Sequence, residues 1–156
     1  MIVRTAKKSD KQEVLKFCTD TFECGDYIYQ VWDAWSADSH GKLYVVRSKN
    51  NKFPVAISHG TICPGTRRIW LEGIRVNPAY RRKKIATILI AKTLQYGIRQ
   101  GAIELSAVVA TDNFASRLML EKNGFNIVSR WGYYASTVGS RRMAPERKNR
   151  LFGRSK

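Results

Sequence analysis

Four consecutive cations, Arg81-Arg82-Lys83-Lys84, stand between the turn Asn77-Pro78-Ala79-Tyr80 and an apolar helical pattern that opens at Ile85-Ala86-Thr87. A turn feeding a helix presents unpaired backbone N–H groups and the positive end of the helix dipole. Such a place seats phosphate, and the cations deepen it. Just upstream, the alternating segment Leu71-Glu72-Gly73-Ile74-Arg75-Val76 carries a single carboxylate. Strand alternation puts Glu72 and Ile74 on one face. Facing a partly buried cleft, Glu72 has the chemistry of a general base. The competing reading is a strand-edge glutamate paired with Arg75 or Arg67.

The elements that must position these groups form a mixed α and β pattern. Strands are predicted over 2–5, 42–48, 54–63 and 69–76, with turns at Lys49-Asn50-Asn51-Lys52 and Pro64-Gly65. Ser9 is placed to cap a helix over 10–22 with Val14, Phe17, Cys18 and Phe22 on one face, and a short aromatic helix follows over 27–35. A long helix over 82–99 shows the stripe Ala86, Ile90, Ala91, Leu94 and Ile98. Residues 103–110 read as a buried strand, Asp112 or Asn113 as the cap of a helix to about residue 123, and 125–131 and 132–138 as two final strands.

At 156 residues the chain fits one domain with a proper core, and 44% hydrophobic residues argue against disorder. No apolar run reaches membrane-span length and the first residues lack a signal-peptide pattern, so a cytoplasmic protein is expected. Cys18, Cys24 and Cys63 show no CxxC spacing, and His40 and His59 stand apart, so no metal site is expected. The net charge is +16; residues 141–156 hold seven cations against Glu146, a tail of +6 on a remainder of +10. Such a surface attracts polyanions, whether a phosphorylated cofactor or nucleic acid. A domain over 1–139 and a basic tail over 140–156 are expected.

The order of elements, with strand, phosphate loop and helix at its centre, resembles the GNAT superfamily of acetyl-CoA-dependent acyltransferases. Arg81-Arg82-Lys83-Lys84-Ile85-Ala86 occupies the family's Gln/Arg-x-x-Gly-x-Gly/Ala signature, and Val76-Asn77-Pro78-Ala79-Tyr80-Arg81 is similar to its lead-in. Residues 113–125, ending Glu121-Lys122-Asn123-Gly124-Phe125, resemble its second motif. The resemblance implies a single α/β domain: a twisted, mostly antiparallel sheet of about seven strands with about four helices, splayed around an acetyl-CoA cleft. It further implies transfer of the acetyl group from acetyl-CoA directly to an amine, without a covalent enzyme intermediate and without a metal, and with Glu72 as base, direct or through water. Ile74, Arg75 and Val76 would hold the pantetheine arm; Arg81, Arg82, Lys83, Lys84, Ile85, Ala86 and Thr87 the pyrophosphate; and Asn113 would lie near the arm or simply cap its helix.

Two positions depart from the family pattern. Lys84 replaces the central loop glycine, which implies ordinary helical backbone there or a side chain turned away from the cofactor. Leu120 stands where many members place an acidic tyrosine, leaving Tyr133 and Tyr134 as substitute proton donors.

In the family it resembles, the segment after the first helix commonly walls the acceptor pocket, which nominates Asp26, Tyr27 and Trp32 for a cationic or heteroaromatic amine. Asp26-Tyr27, the following tryptophans and residues 71–76 are similar to histidine N-acetyltransferases, implying a small amine or amino acid such as histidine. A protein or peptide acceptor, and a catalytically weakened fold that binds nucleic acid, stand as alternatives. The chain is expected as a monomer or homodimer.

Overall fold

The computed structural model of the chain describes residues 1–19, 25–48, 52–132 and 134. Its residues fall into two compact units, Met1–Asn126 and Ile127–Lys156. The first unit holds all the α-helices and β-strands among the described residues, in the order β1 (Ile2–Thr5), α1 (Lys11–Cys18), α2 (Ile28–Ala37), β2 (Gly41–Arg47), β3 (Pro54–Ile62), β4 (Arg68–Val76), α3 (Ile85–Arg99), β5 (Glu104–Ser106) and α4 (Phe114–Glu121). In the second unit, residues 127–132 and 134 form neither helix nor strand; Trp131 Nε1 donates to Ser129 Oγ at 2.8 Å.

One sheet runs β1-β2-β3-β4-β5 in chain order, antiparallel except for the parallel β4–β5 pair. Among the described residues it has five strands rather than about seven. Residues 125–131 form no strand, and the segment 132–138 lies largely outside the described residues. The buried strand expected over 103–110 shrinks to three residues, with Ile103 and Val108 exposed. β5 pairs only with Arg68, Ile69 and Trp70 of β4.

The two sheet faces bury separate clusters. On one, α1 and α2 lay Val14, Cys18, Ile28, Trp32 and Trp35 on Leu43, Val45 and Ile57. On the other, Ile85 and Leu89 of α3 pack on Tyr44, Val46, Val55 and Ala56. Full burial of each large apolar side chain contributes about 1.5–3 kcal/mol. The expected α3 stripe is rotated: Ile85, Leu89, Ile90, Thr93 and Gly97 are buried while Leu94 and Ile98 are exposed. In the second half of the helix small groups face the sheet at close approach, Thr93 against Gly60 and Gly97 against Ile69. Around α1, Asp10 takes the helix N-cap position expected of Ser9, and its carboxylate accepts the Lys7 N–H and both terminal nitrogens of Arg4. Phe22 lies outside the described residues.

Candidate active site

The register of the β3–β4 hairpin decides where Glu72 points. His59 pairs with Glu72, but Ile57 pairs with Arg75, so two β4 residues, Gly73 and Ile74, stand opposite Ser58. This is a bulge of the glycine type, with Gly73 at φ +65°. Any Cβ there would drive into the Trp35 indole. The extra residue breaks the alternation, so Glu72 shares its face with Arg75 rather than with Ile74 as expected. That face belongs to α1 and α2, where Ile57 packs.

The side chain that meets Glu72 is His59, not Arg75 or Arg67. His59 Nδ1 lies 2.9 Å from Glu72 Oε1, while its Nε2 lies 3.2 Å from Asp38 Oδ2. The imidazole is 1% exposed and stacks on Trp35, centroids 4.8 Å apart and planes within 8°. Burial alone would push the Asp38 carboxyl up, but hydrogen bonds from Thr61 and the His40 N–H, with the nearby histidines, hold it below the usual range. Arg75 instead binds Asp26, Nε to Oδ2 at 2.6 Å, and lies over the Tyr27 ring.

Beyond Trp70 the pairing of β4 with β5 ends, and a cleft of about 840 Å³ opens beside the freed half of β4. It runs from Ile74, Arg75 and Val76 past Tyr80, Arg81, Arg82, Lys84, Ile85, Ala86 and Thr87 to α4, where Asn113, Ser116 and Met119 line it. Of the nominated cofactor residues only Lys83 is absent from this lining; its Nζ reaches the Ala79 carbonyl and the Tyr80 ring. Asn113 caps α4, its Oδ1 accepting the Ser116 N–H at 3.1 Å, and faces the cleft as well.

The phosphate loop departs from expectation at Lys84. Its backbone is left-handed, φ +58° and ψ 21°, not helical, and Arg82 also has φ +58°. Each such non-glycine residue costs about 1–2 kcal/mol. Helix α3 therefore opens at Ile85 rather than near 82, and Lys84 offers no side-chain cap to its first turn. The free N–H groups of that turn, rimmed by Arg81, Arg82 and Lys84 on the cleft wall, fit a pyrophosphate.

The three acceptor candidates separate. Trp32 is 1% exposed and belongs to the core, the Asp26 carboxylate is engaged by Arg75, and Tyr27 presents surface at 40%. Leu120 is absent from the cleft lining. Tyr133 lies outside the described residues, and Tyr134 belongs to the second unit. Burial pushes the Cys18 thiol up to about 12, which makes it a poor nucleophile. Among the described residues no group of three or more His, Cys, Asp or Glu side chains could hold a metal ion, and no helix is long and apolar enough to cross a membrane.

Sequence reasoning missed His59, Asp38 and Trp35. The strands fold about Gly65-Thr66, one residue beyond the Pro64-Gly65 turn read from the sequence, and this offset sets residue 59 across from residue 72 rather than residue 70.

Splayed strands, a left-handed cationic loop and a helix N-terminus on one cleft define an acyltransferase fold of the GNAT type. The family model for the acetyltransferase (GNAT) family matches residues 11–125, and the chain belongs to that family. It is 37% identical over 70 residues to aminoglycoside N(6')-acetyltransferase type 1 of Acinetobacter genomosp. 13, a match spanning 45% of this chain and 48% of that relative. Aminoglycoside 6'-N-acetyltransferase AAC(6')-Ig of Acinetobacter haemolyticus superimposes with a TM-score of 0.73 at 21% identity, covering 88% of this chain and 99% of that one. Aminoglycoside N-acetyltransferase AAC(6')-Iy in complex with CoA does so at 0.69 and 19% identity, covering 87% and 99%. These two likenesses speak to the fold.

Proposed function

We propose that this chain moves the acetyl group of acetyl-CoA directly to a primary amine of a small molecule. The observation that carries the reading is the cleft itself, which joins the freed half of β4 to a cationic loop at the start of α3. Acetyl-CoA supplies a thioester carbon open to attack by a neutral amine. Backbone groups of Ile74 and Val76 bind the pantetheine arm, the loop from Arg81 to Thr87 holds the pyrophosphate, and Glu72 takes the amine proton directly or through water. Holding amine and thioester together contributes up to about 7–11 kcal/mol in favourable cases. No enzyme nucleophile is needed. As the amine adds, the acetyl–sulfur bond would break, and the departing CoA thiolate would take its proton from water.

The acceptor is a small amine bound on the α1–α2 side, near Tyr27. The names of the relatives support an aminoglycoside 6'-amine, and the Asp26-Tyr27 pattern supports an amino acid such as histidine. A non-catalytic nucleic-acid binder draws on Lys84 and Leu120, yet Lys84 keeps the left-handed backbone a glycine would supply and Leu120 is not on the cleft wall. The reading carries with it a domain over 1–139, a basic tail over 140–156 and a cytoplasmic location, where reduced thiols such as Cys18 and Cys63 persist.

The test is thermal unfolding with acetyl-CoA, using a mixed-sequence oligonucleotide as polyanion control. Acetyl-CoA at about 100 times its Kd should add about 2.7 kcal/mol, raising Tm by roughly 5–10 °C. A shift that survives moderate salt supports the reading and leads to an amine screen with 6'-amino aminoglycosides, histidine and a peptide N-terminus. A salt-sensitive shift with the oligonucleotide alone overturns it.

A further inference from the structure

We propose that His59 is a positioning residue for Glu72, and that Asp38 and Trp35 in turn fix His59; the proposal rests on the reading of Glu72 as base. An ionised carboxylate can only accept hydrogen bonds, so the 2.9 Å contact to Glu72 Oε1 requires a proton on His59 Nδ1. That bond ties one carboxylate oxygen to the sheet face and leaves the other to receive the amine proton. On the far side of the ring, Asp38 Oδ2 stands 3.2 Å from Nε2, in contact but not aligned as a hydrogen bond.

Three features hold the ring in this plane. Trp35 stacks flat against it, and the indole continues across Gly73, where a Cβ would collide with the same rings. At Gly41 a Cβ would lie 2.6 Å from His59 Nε2 and would also strike Asp38 Oδ2. The absence of side chains at 41 and 73 thus makes room for the Asp38–His59 contact and for Trp35. A ring locked on both edges and one face cannot rotate away from Glu72 without repacking the α2 side of the sheet. The His59–Glu72 pair lies on the turn side of the bulge and follows from the hairpin register, while the bulge beyond it separates Ile74 from the face of Glu72.

The test uses three substitutions in the full chain. In His59→Asn the amide nitrogen falls near the position of Nδ1 and keeps a donor for Glu72. In His59→Gln the amide lies nearer Nε2 and Asp38, and His59→Leu removes both. The readouts are kcat with an accepted amine, acetyl-CoA Kd by thermal shift, and Tm. His59→Gln and His59→Leu should lose at least tenfold in kcat with the acetyl-CoA Kd unchanged, and His59→Asn should recover part of that loss. Equal losses in all three variants that track their Tm values would make His59 a packing residue and overturn the proposal.

A second readout stands apart from turnover. The chain has two histidines, so a His40→Gln variant assigns the ring signals by NMR. A slowly exchanging Nδ1–H of His59 that moves on Glu72→Gln is expected; its absence, or no response to Glu72→Gln, overturns the contact. If the wild type acetylates no amine, the proposed function fails, while this second readout still decides the His59–Glu72 link.

Discussion

At Glu72 one carboxylate meets a buried imidazole through one oxygen, and its remaining surface faces outward from a strand beside the cleft. Replacing it by glutamine keeps the shape and removes the charge. Glu72→Gln is expected to lower kcat by about 10²–10⁴-fold, while acetyl-CoA still shifts Tm as in the wild type. Unchanged turnover at neutral pH would end the base assignment. Asp10 answers a question of stability rather than catalysis. Burial would raise its pKa, but the hydrogen bonds from Arg4 and the Lys7 N–H prevail and hold it below the usual value. A carboxyl depressed in the folded state stabilises fully above its unfolded pKa of about 4, and that stabilisation is lost as pH falls through the folded value. Asp10→Asn should therefore be less stable than wild type at pH 7 and nearly equal to it in strong acid, as denaturant midpoints across pH would show.

The phosphate loop and the β4 bulge are where elements bend local preference. Lysine at 84 is a costly occupant of a left-handed position, so Lys84→Gly is expected to stabilise the chain by about 1 kcal/mol, a rise of about 2–4 °C in Tm. A fall in Tm would mean that the Lys84 side chain contributes more than its backbone costs. These two places also mark the limit of what the sequence made legible. The four cations, the Asn77-Pro78 turn and the apolar run after them located the cleft wall, because charge and turn chemistry are local properties. The face of Glu72 was misread because a bulge depends on the partner strand, and Gly73 alone did not say that Ser58 would face two residues. The buried side of α3 was misread for a similar reason, since how closely a helix approaches a sheet is settled by small residues on both.

For the whole chain, charge is distributed unevenly: the segment 141–156 carries +6 of the +16. Removing residues 141–156 should leave acetyl-CoA binding and amine turnover intact while weakening oligonucleotide binding and flattening its salt dependence. Loss of acetyl-CoA binding in that truncation would mean that the cofactor site reaches beyond the cleft described.

The parallel join between β4 and β5 has a kinetic consequence. Strands β2, β3 and β4 follow one another through short connections, whereas β5 meets β4 only after the chain has crossed over through α3. Loop-closure entropy delays such non-local pairing, so the meander should assemble early and the β5–α4 side should dock last. The cleft lies across that seam, with β4 on one wall and α4 on the other. A ligand there bridges contacts absent from the folding transition state, and such contacts act on the unfolding limb. Stopped-flow traces with saturating acetyl-CoA should show slower unfolding and an almost unchanged folding rate, so the co-substrate would work as a clasp on a protein that has already folded.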